Sequence, residues 1–126
     1  MQVPIVPGEP IVLPIRVHGS NGVREMDALI DTGATCMTIP PEDAIDLGYN
    51  LKECVMLSAA TASGLLEVPR VILSRVVVLG YEQTDVPAIC LDIPVGGVSS
   101  LLGLSLLSRF ELKLDFKNGR LAITDP

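Results

Sequence analysis

Ile11, Leu13, Ile15 and Val17 fall on one side of a period of two, with Val12, Pro14, Arg16 and His18 on the other. That period puts the first set on one face of an extended chain, so the segment reads as a half-buried β-strand. Ser20-Asn21-Gly22 follows, and because Asn and Gly tolerate the positive φ of tight hairpins, the chain turns back here. The return run, VREMDALI, ends at Asp31. From Pro40 to Gly48, PPEDAIDLG opens on proline, carries acids in its first turn and closes on glycine, which predicts one short helix. Strand patterns resume from Leu51 in LKECVMLSAA, LLEVPRVILSRVVVLG and TDVPAICLDI. Between the first two, the small residues Thr61-Ala62-Ser63-Gly64 predict a mobile hairpin tip. Beyond the flexible Val95-Gly96-Gly97, Leu102, Leu106 and Leu107 recur at helical spacing around Gly103. At the end FELKLDF alternates strictly, Asn118-Gly119 turns and RLAI returns, a clear hairpin. With no repeat, linker or low-complexity tract, the pattern predicts an all-β protein, a small closed β-barrel with one or two short helices, as a single domain over residues 1–126.

Composition narrows the functions open to such a barrel. With 126 residues, 48% of them hydrophobic, the chain can bury one core and not two. A net charge of −6 with scattered basic residues argues against phosphate-backbone binding, so no nucleic-acid partner is expected. No apolar run reaches the roughly 18 residues that span a bilayer, and the N-terminus lacks a basic start followed by an apolar core. The expectation is a chain with no membrane segment and a cytoplasmic, reducing location, unless it is cut from a membrane-anchored parent. Cys36, Cys54 and Cys90 are widely spaced, with no C-x-x-C and a lone histidine, His18. They read as apolar thiols in a reducing compartment, and neither metal nor cofactor is expected. A sharper alternative makes Cys36 a nucleophile, which requires a base; His18, on a strand face, is the one imidazole available.

The stretch ALIDTGATCMTIP, Ala28 to Pro40, carries the remaining chemistry: an apolar run delivers the carboxylate of Asp31 into a turn made by Thr32 and Gly33. Burying a carboxylate costs several kcal/mol unless donors meet it, so its neighbours matter. Asp-Thr-Gly alone is weak evidence, since an acid ending a strand in a turn is common structure. Combined with the opening hairpin, the glycine-tipped hairpin in the middle and LLGLSLLSRF near the end, it is specific. Pro10 to Thr35 resembles the opening hairpin and active-site loop of retropepsin-like aspartic proteases, and LLGLSLLSRF resembles their second signature, two apolar residues, a glycine and a short helix. Order and spacing agree from about Val3 to Ile123.

The resemblance implies a retropepsin-type barrel and an aspartic endopeptidase acting on peptide or protein substrates. Asp31 becomes the catalytic carboxylate, with Thr32 and Gly33 supporting it: Gly33 lets a backbone N–H approach the Asp31 oxygens, and the Thr32 hydroxyl can turn inward to bond a neighbouring loop. Ala34 is assigned to substrate binding together with Thr61, Ala62, Ser63 and Gly64, the tip of a flap spanning roughly Ala59 to Leu66. Asp-Thr-Gly occurs once, so a catalytic pair implies a homodimer with one Asp31 from each copy. In this family the chain ends interleave into a shared sheet, which would involve Met1–Val6 and Leu121–Thr124. Thr35 and Leu104 stand where viral members carry an acid and an arginine that brace the dimer, a departure that suits a cellular or bacterial branch. Ala34 has no hydroxyl to donate to the carboxylate. The rival function is a non-catalytic dimerisation or peptide-binding module on the same fold.

Overall fold

Aliphatic and β-branched residues at alternate positions favour strands, and the structure, a computed structural model describing residues 1–125, is built almost wholly from them. In chain order the elements are β1 (Gln2–Pro4), β2 (Val12–Gly19), β3 (Gly22–Ile30), β4 (Met37–Ile39), α1 (Pro41–Asp46), β5 (Val55–Thr61), β6 (Gly64–Val78), β7 (Tyr81–Cys90), β8 (Ser100–Leu102), α2 (Leu104–Leu107), β9 (Glu111–Asp115) and β10 (Arg120–Thr124). A 3-10 turn at Leu51–Glu53 precedes β5. No helix among the described residues is long and apolar enough to cross a membrane.

Six strands in the order β2-β3-β8-β4-β7-β6 form a closed barrel, because β6 pairs back onto β2 from Ile15↔Val78 to His18↔Arg75. Closure leaves those strands with no open edge. The alternation read from β2 is realised in it: Leu13, Ile15 and Val17 are buried, while Val12, Pro14 and Arg16 face solvent. They meet Leu73, Val76 and Val78 of β6, Val86 and Ala88 of β7, and Met37 and Ile39 of β4 in one core. α1 starts on Pro41 with Glu42 and Asp43 in its first turn. Arg24 of β3 pairs with Asp43 and, at 3.3 Å, with Asp46, tying the helix to the barrel wall.

β6 is 15 residues long and serves two structures. From Arg70 onward it pairs with β7 as barrel wall. Before Arg70 it pairs with β5, from Val55↔Arg70 to Thr61↔Gly64, as a hairpin arm that leaves the barrel. A second sheet has the order β1-β10-β9. Here β1 lies antiparallel to β10 of the same chain, Gln2↔Ala122 to Pro4↔Arg120, so the two end segments pair with each other within one chain.

Two expectations change in detail. The helical spacing around Gly103 yields a helix only at Leu104–Leu107, because Leu102 belongs to β8, which lies parallel to β3 through Ala28↔Ser100, Leu29↔Leu101 and Ile30↔Leu102. Strand partners distant in sequence override the local periodicity. The pattern also left β4 and β8 unseen. Each is three residues long, and β4 is buried throughout, so no alternation marks it.

Candidate active site

The parallel pairing of β3 with β8 brings the ends of both strands to the same place. Asp31 N–H donates to the Leu102 carbonyl at 3.1 Å, which fixes the start of the loop against β8. The turn closes with Ala34 N–H donating to Asp31 O at 3.2 Å. The chain leaving β8 then crosses this loop: Leu104 N–H donates to Ala34 O and Ser105 N–H to Thr35 O, both at 2.8 Å. Ser105 Oγ completes the junction, accepting from Met37 N–H and donating to Pro87 O, each at 2.8 Å. The crossing is close because residue 103 is glycine. A Cβ there would stand 2.5 Å from the Cys36 carbonyl oxygen and 2.7 Å from that of Ala34.

On this junction sits Asp31, half-buried, its Oδ1 accepting from Gly33 N–H at 2.9 Å. The backbone donor expected of Gly33 is therefore present. The carboxylate is less enclosed than expected, half-buried, with the bond from Gly33 its one side-chain hydrogen bond among the described residues. Thr32 is exposed, and within the described residues its hydroxyl meets no partner, so the inward bond expected of it is not formed inside the chain.

A cleft of about 480 Å³ runs beside the loop and beneath the arm. Gly33, Ala34 and Cys36 border it from the loop, Leu57 to Ala60 from β5, and Ile89, Leu91 and Leu101 from the barrel. Ala34, assigned to substrate binding from the sequence, is among the residues lining the cleft. Thr61, Ala62, Ser63 and Gly64 form the tip of the arm beyond the cleft's lining. That tip is braced by Thr61 Oγ1, which donates to Gly64 O at 2.9 Å and accepts from Ser63 N–H at 3.3 Å. Leu57, Ile89 and Leu101 were missed from the sequence. Ile89 and Leu101 alternate with buried residues on their strands and Leu57 with exposed ones, and nothing in a period of two distinguishes a face that lines a cleft from one that meets water.

A second hollow of about 690 Å³ lies over the β2–β6 seam and contains His18. Its charges are matched in pairs, Arg16 with Glu25 and Arg75 with Glu82, each at 3.6 Å. Cys36 and His18 therefore line different hollows, and the structure brings no imidazole to the thiol. Cys90 is buried, and its surroundings push the thiol up to about 12, chiefly by desolvation and further by nearby Cys54. Among the described residues no three His, Cys, Asp or Glu side chains are gathered as metal ligands.

A closed barrel, two crossed loops and a glycine-bonded carboxylate beside an apolar cleft under a hairpin arm define the retropepsin-like class of aspartic protease domains. Residues 18–109 match the family described as "gag-polyprotein putative aspartyl protease", and the chain belongs to that family. Its structure is similar to that of a retropepsin-like aspartic protease from Rickettsia conorii, with 26% identity and a TM-score of 0.71 over 98% of this chain and 89% of that one. No curated protein matches the sequence.

Proposed function

We propose that the protein is an aspartic endopeptidase in which two copies of the chain each contribute Asp31 to one catalytic pair. The observation that carries this reading is the setting of Asp31: the one Asp-Thr-Gly of the chain, its carboxylate half-buried and bonded by Gly33 N–H, beside an apolar cleft. Two carboxyl groups close enough to share a proton do not both ionise readily, so the pair holds an acid and a base together. The basic member takes a proton from water, the resulting nucleophile attacks the peptide carbonyl, and the protonated member gives its proton to the oxygen that becomes charged. Collapse of the tetrahedral adduct, with proton return to the amine, breaks the C–N bond.

The other residues support that sequence. Gly33 holds the Asp31 carboxylate in orientation, and the exposed Thr32 hydroxyl is available to the loop of the second copy. Aliphatic walls from Leu57, Ile89 and Leu101 favour apolar substrate side chains. The arm from Ala59 to Leu66 acts as a flap that closes over bound peptide and excludes water.

Asp31→Asn tests this reading, because the amide is nearly isosteric yet cannot act as base. The variant is expected to keep the far-UV spectrum and melting behaviour of the parent and to lose cleavage of a peptide library, whereas Cys36→Ala remains active. Wild-type turnover by Asp31→Asn would overturn the aspartic mechanism. Peptide binding without cleavage by the parent at any pH from about 3 to 7 would favour the non-catalytic module.

A further inference from the structure

We infer that Arg70 determines specificity, its guanidinium receiving an aspartate or glutamate side chain of the substrate at the root of the arm. The inference rests on the peptidase function above and adds a substrate class to it, peptides with an acidic residue at one fixed position from the bond that is cut. The register across three strands places this residue. Arg70 is where β6 holds both neighbours, opposite Val55 of β5 and opposite Ile89 of β7. Residues directly opposite in antiparallel strands project to the same face, with Cβ atoms about 4.5–5.5 Å apart. Arg70 therefore leaves the sheet on the side of Ile89, which lines the cleft. Two positions earlier, on the same face, Val68 stands opposite Leu57, a second lining residue, and is buried. The next residue, Val71, pairs with Ala88 and belongs to the core instead. An arginine so placed has Val68 and Ile89 to lay its stem along and carries its charged head to the edge of the cleft.

That head is unmet by the chain. Arg70 is half-buried, its Nε is enclosed with no hydrogen-bond partner, and no carboxylate lies within ion-pair distance of it among the described residues. Other arginines differ. Arg16, Arg24 and Arg75 each face a carboxylate, and Arg109 donates to the carbonyls of Thr84 and Asp85. A buried donor without an acceptor costs free energy that an arriving acceptor recovers. The lining of the cleft contains no Asp, Glu, Lys, Arg or His, so no side chain there competes for the guanidinium and no second cation rivals it. A carboxylate matches the guanidinium best, because the planar fork donates to both of its oxygens at once. The aliphatic walls thus select apolar side chains along the cleft, and Arg70 adds one charged position at its edge.

Cleavage specificity tests this by ratios of rates. A peptide cut by the wild type is selected from a library, and versions with Glu, Gln or Lys at each position flanking the cut bond are compared by kcat/KM. At one position the wild type is expected to favour Glu over Gln about tenfold, through KM more than kcat, with the preference shrinking as salt rises. Arg70→Gln should cut the Glu and Gln versions equally, and Arg70→Glu should prefer Lys to Glu. Arg70→Lys, which keeps the charge and loses the fork, should retain part of the preference for Glu. Disturbed packing at the root of the arm would lower all these rates together without inverting their order, so the inversion separates recognition from a structural role. A wild type indifferent to charge at every position, or a Glu preference that survives Arg70→Gln, overturns the role of Arg70 and leaves the aspartic mechanism standing. Wild-type turnover by Asp31→Asn overturns the mechanism instead, and a wild type that cleaves no peptide overturns both.

Discussion

A methyl group at residue 103 would collide with two carbonyl oxygens of the Asp31 loop, those of Cys36 and Ala34, and the loop cannot retreat without breaking the bonds from Leu104 to Ala34 O and from Ser105 to Thr35 O. Gly103→Ala is therefore expected to cost more than about 2 kcal/mol in urea unfolding, the range of overpacked cores. Gly96→Ala is the control: a Cβ at that position meets nothing within 4 Å, so the change should be near neutral. Cys90 supplies a pH dependence. Its thiol titrates at about 12 in the folded chain, against the ordinary 9.0 when unfolded, so the unfolded state loses its proton first as pH rises. The contribution is complete below about pH 9 and declines between there and about pH 12, because in that window the folded state binds more protons. The difference in unfolding midpoint between wild type and Cys90→Ala should accordingly shrink above pH 9. A constant difference would show that burial does not perturb the thiol.

At the scale of elements, β6 is the decisive strand. Its second half is held by β7 throughout and by β2 at its end, whereas its first half has β5 alone and exposes Leu65 and Leu66. Local stability should change at Arg70, where the arm leaves the barrel. Hydrogen exchange is expected to be fast from Leu57 to Leu66 and slow from Val71 to Val78. A peptide mimic carrying a hydroxyl in place of the attacked carbonyl should slow the first segment selectively. Uniform protection along β6 would mean that the arm is fixed and does not gate the cleft. The tip residues were legible from their small side chains, but the point where wall becomes arm was not, because β-patterning continues across it.

For the whole molecule the consequence is mass action. On the proposed shared pair, with one Asp31 from each copy, activity per chain is expected to fall on dilution below the dimer dissociation constant. Mixing wild type with excess Asp31→Asn chains and allowing full exchange should depress activity well below the wild-type fraction, since mixed pairs carry one carboxylate. Activity strictly proportional to the wild-type chain would show that each copy works alone.

Local chemistry alone determined the two hairpins at Asn21-Gly22 and Asn118-Gly119, the buried face of β2, the helix opening near Pro40 and the position of Asp31 at a strand end. Each depends on neighbours within a few residues: a period of two, a positive φ, a proline at a helix start. Tertiary structure decided what no short window contains. The three-residue strands β4 and β8 exist because β7 and β3 hold them in parallel, and Gly103 is required because a loop some seventy positions earlier passes over it. The cleft's walls come from the loop, β5, β7 and β8, four separate parts of the chain, whose side chains converge only when the barrel closes. The end sheet forms within one chain because the β9–β10 hairpin brings β10 to β1. Contacts between residues far apart in sequence leave no local period, so the fold had to assemble them before they could be seen.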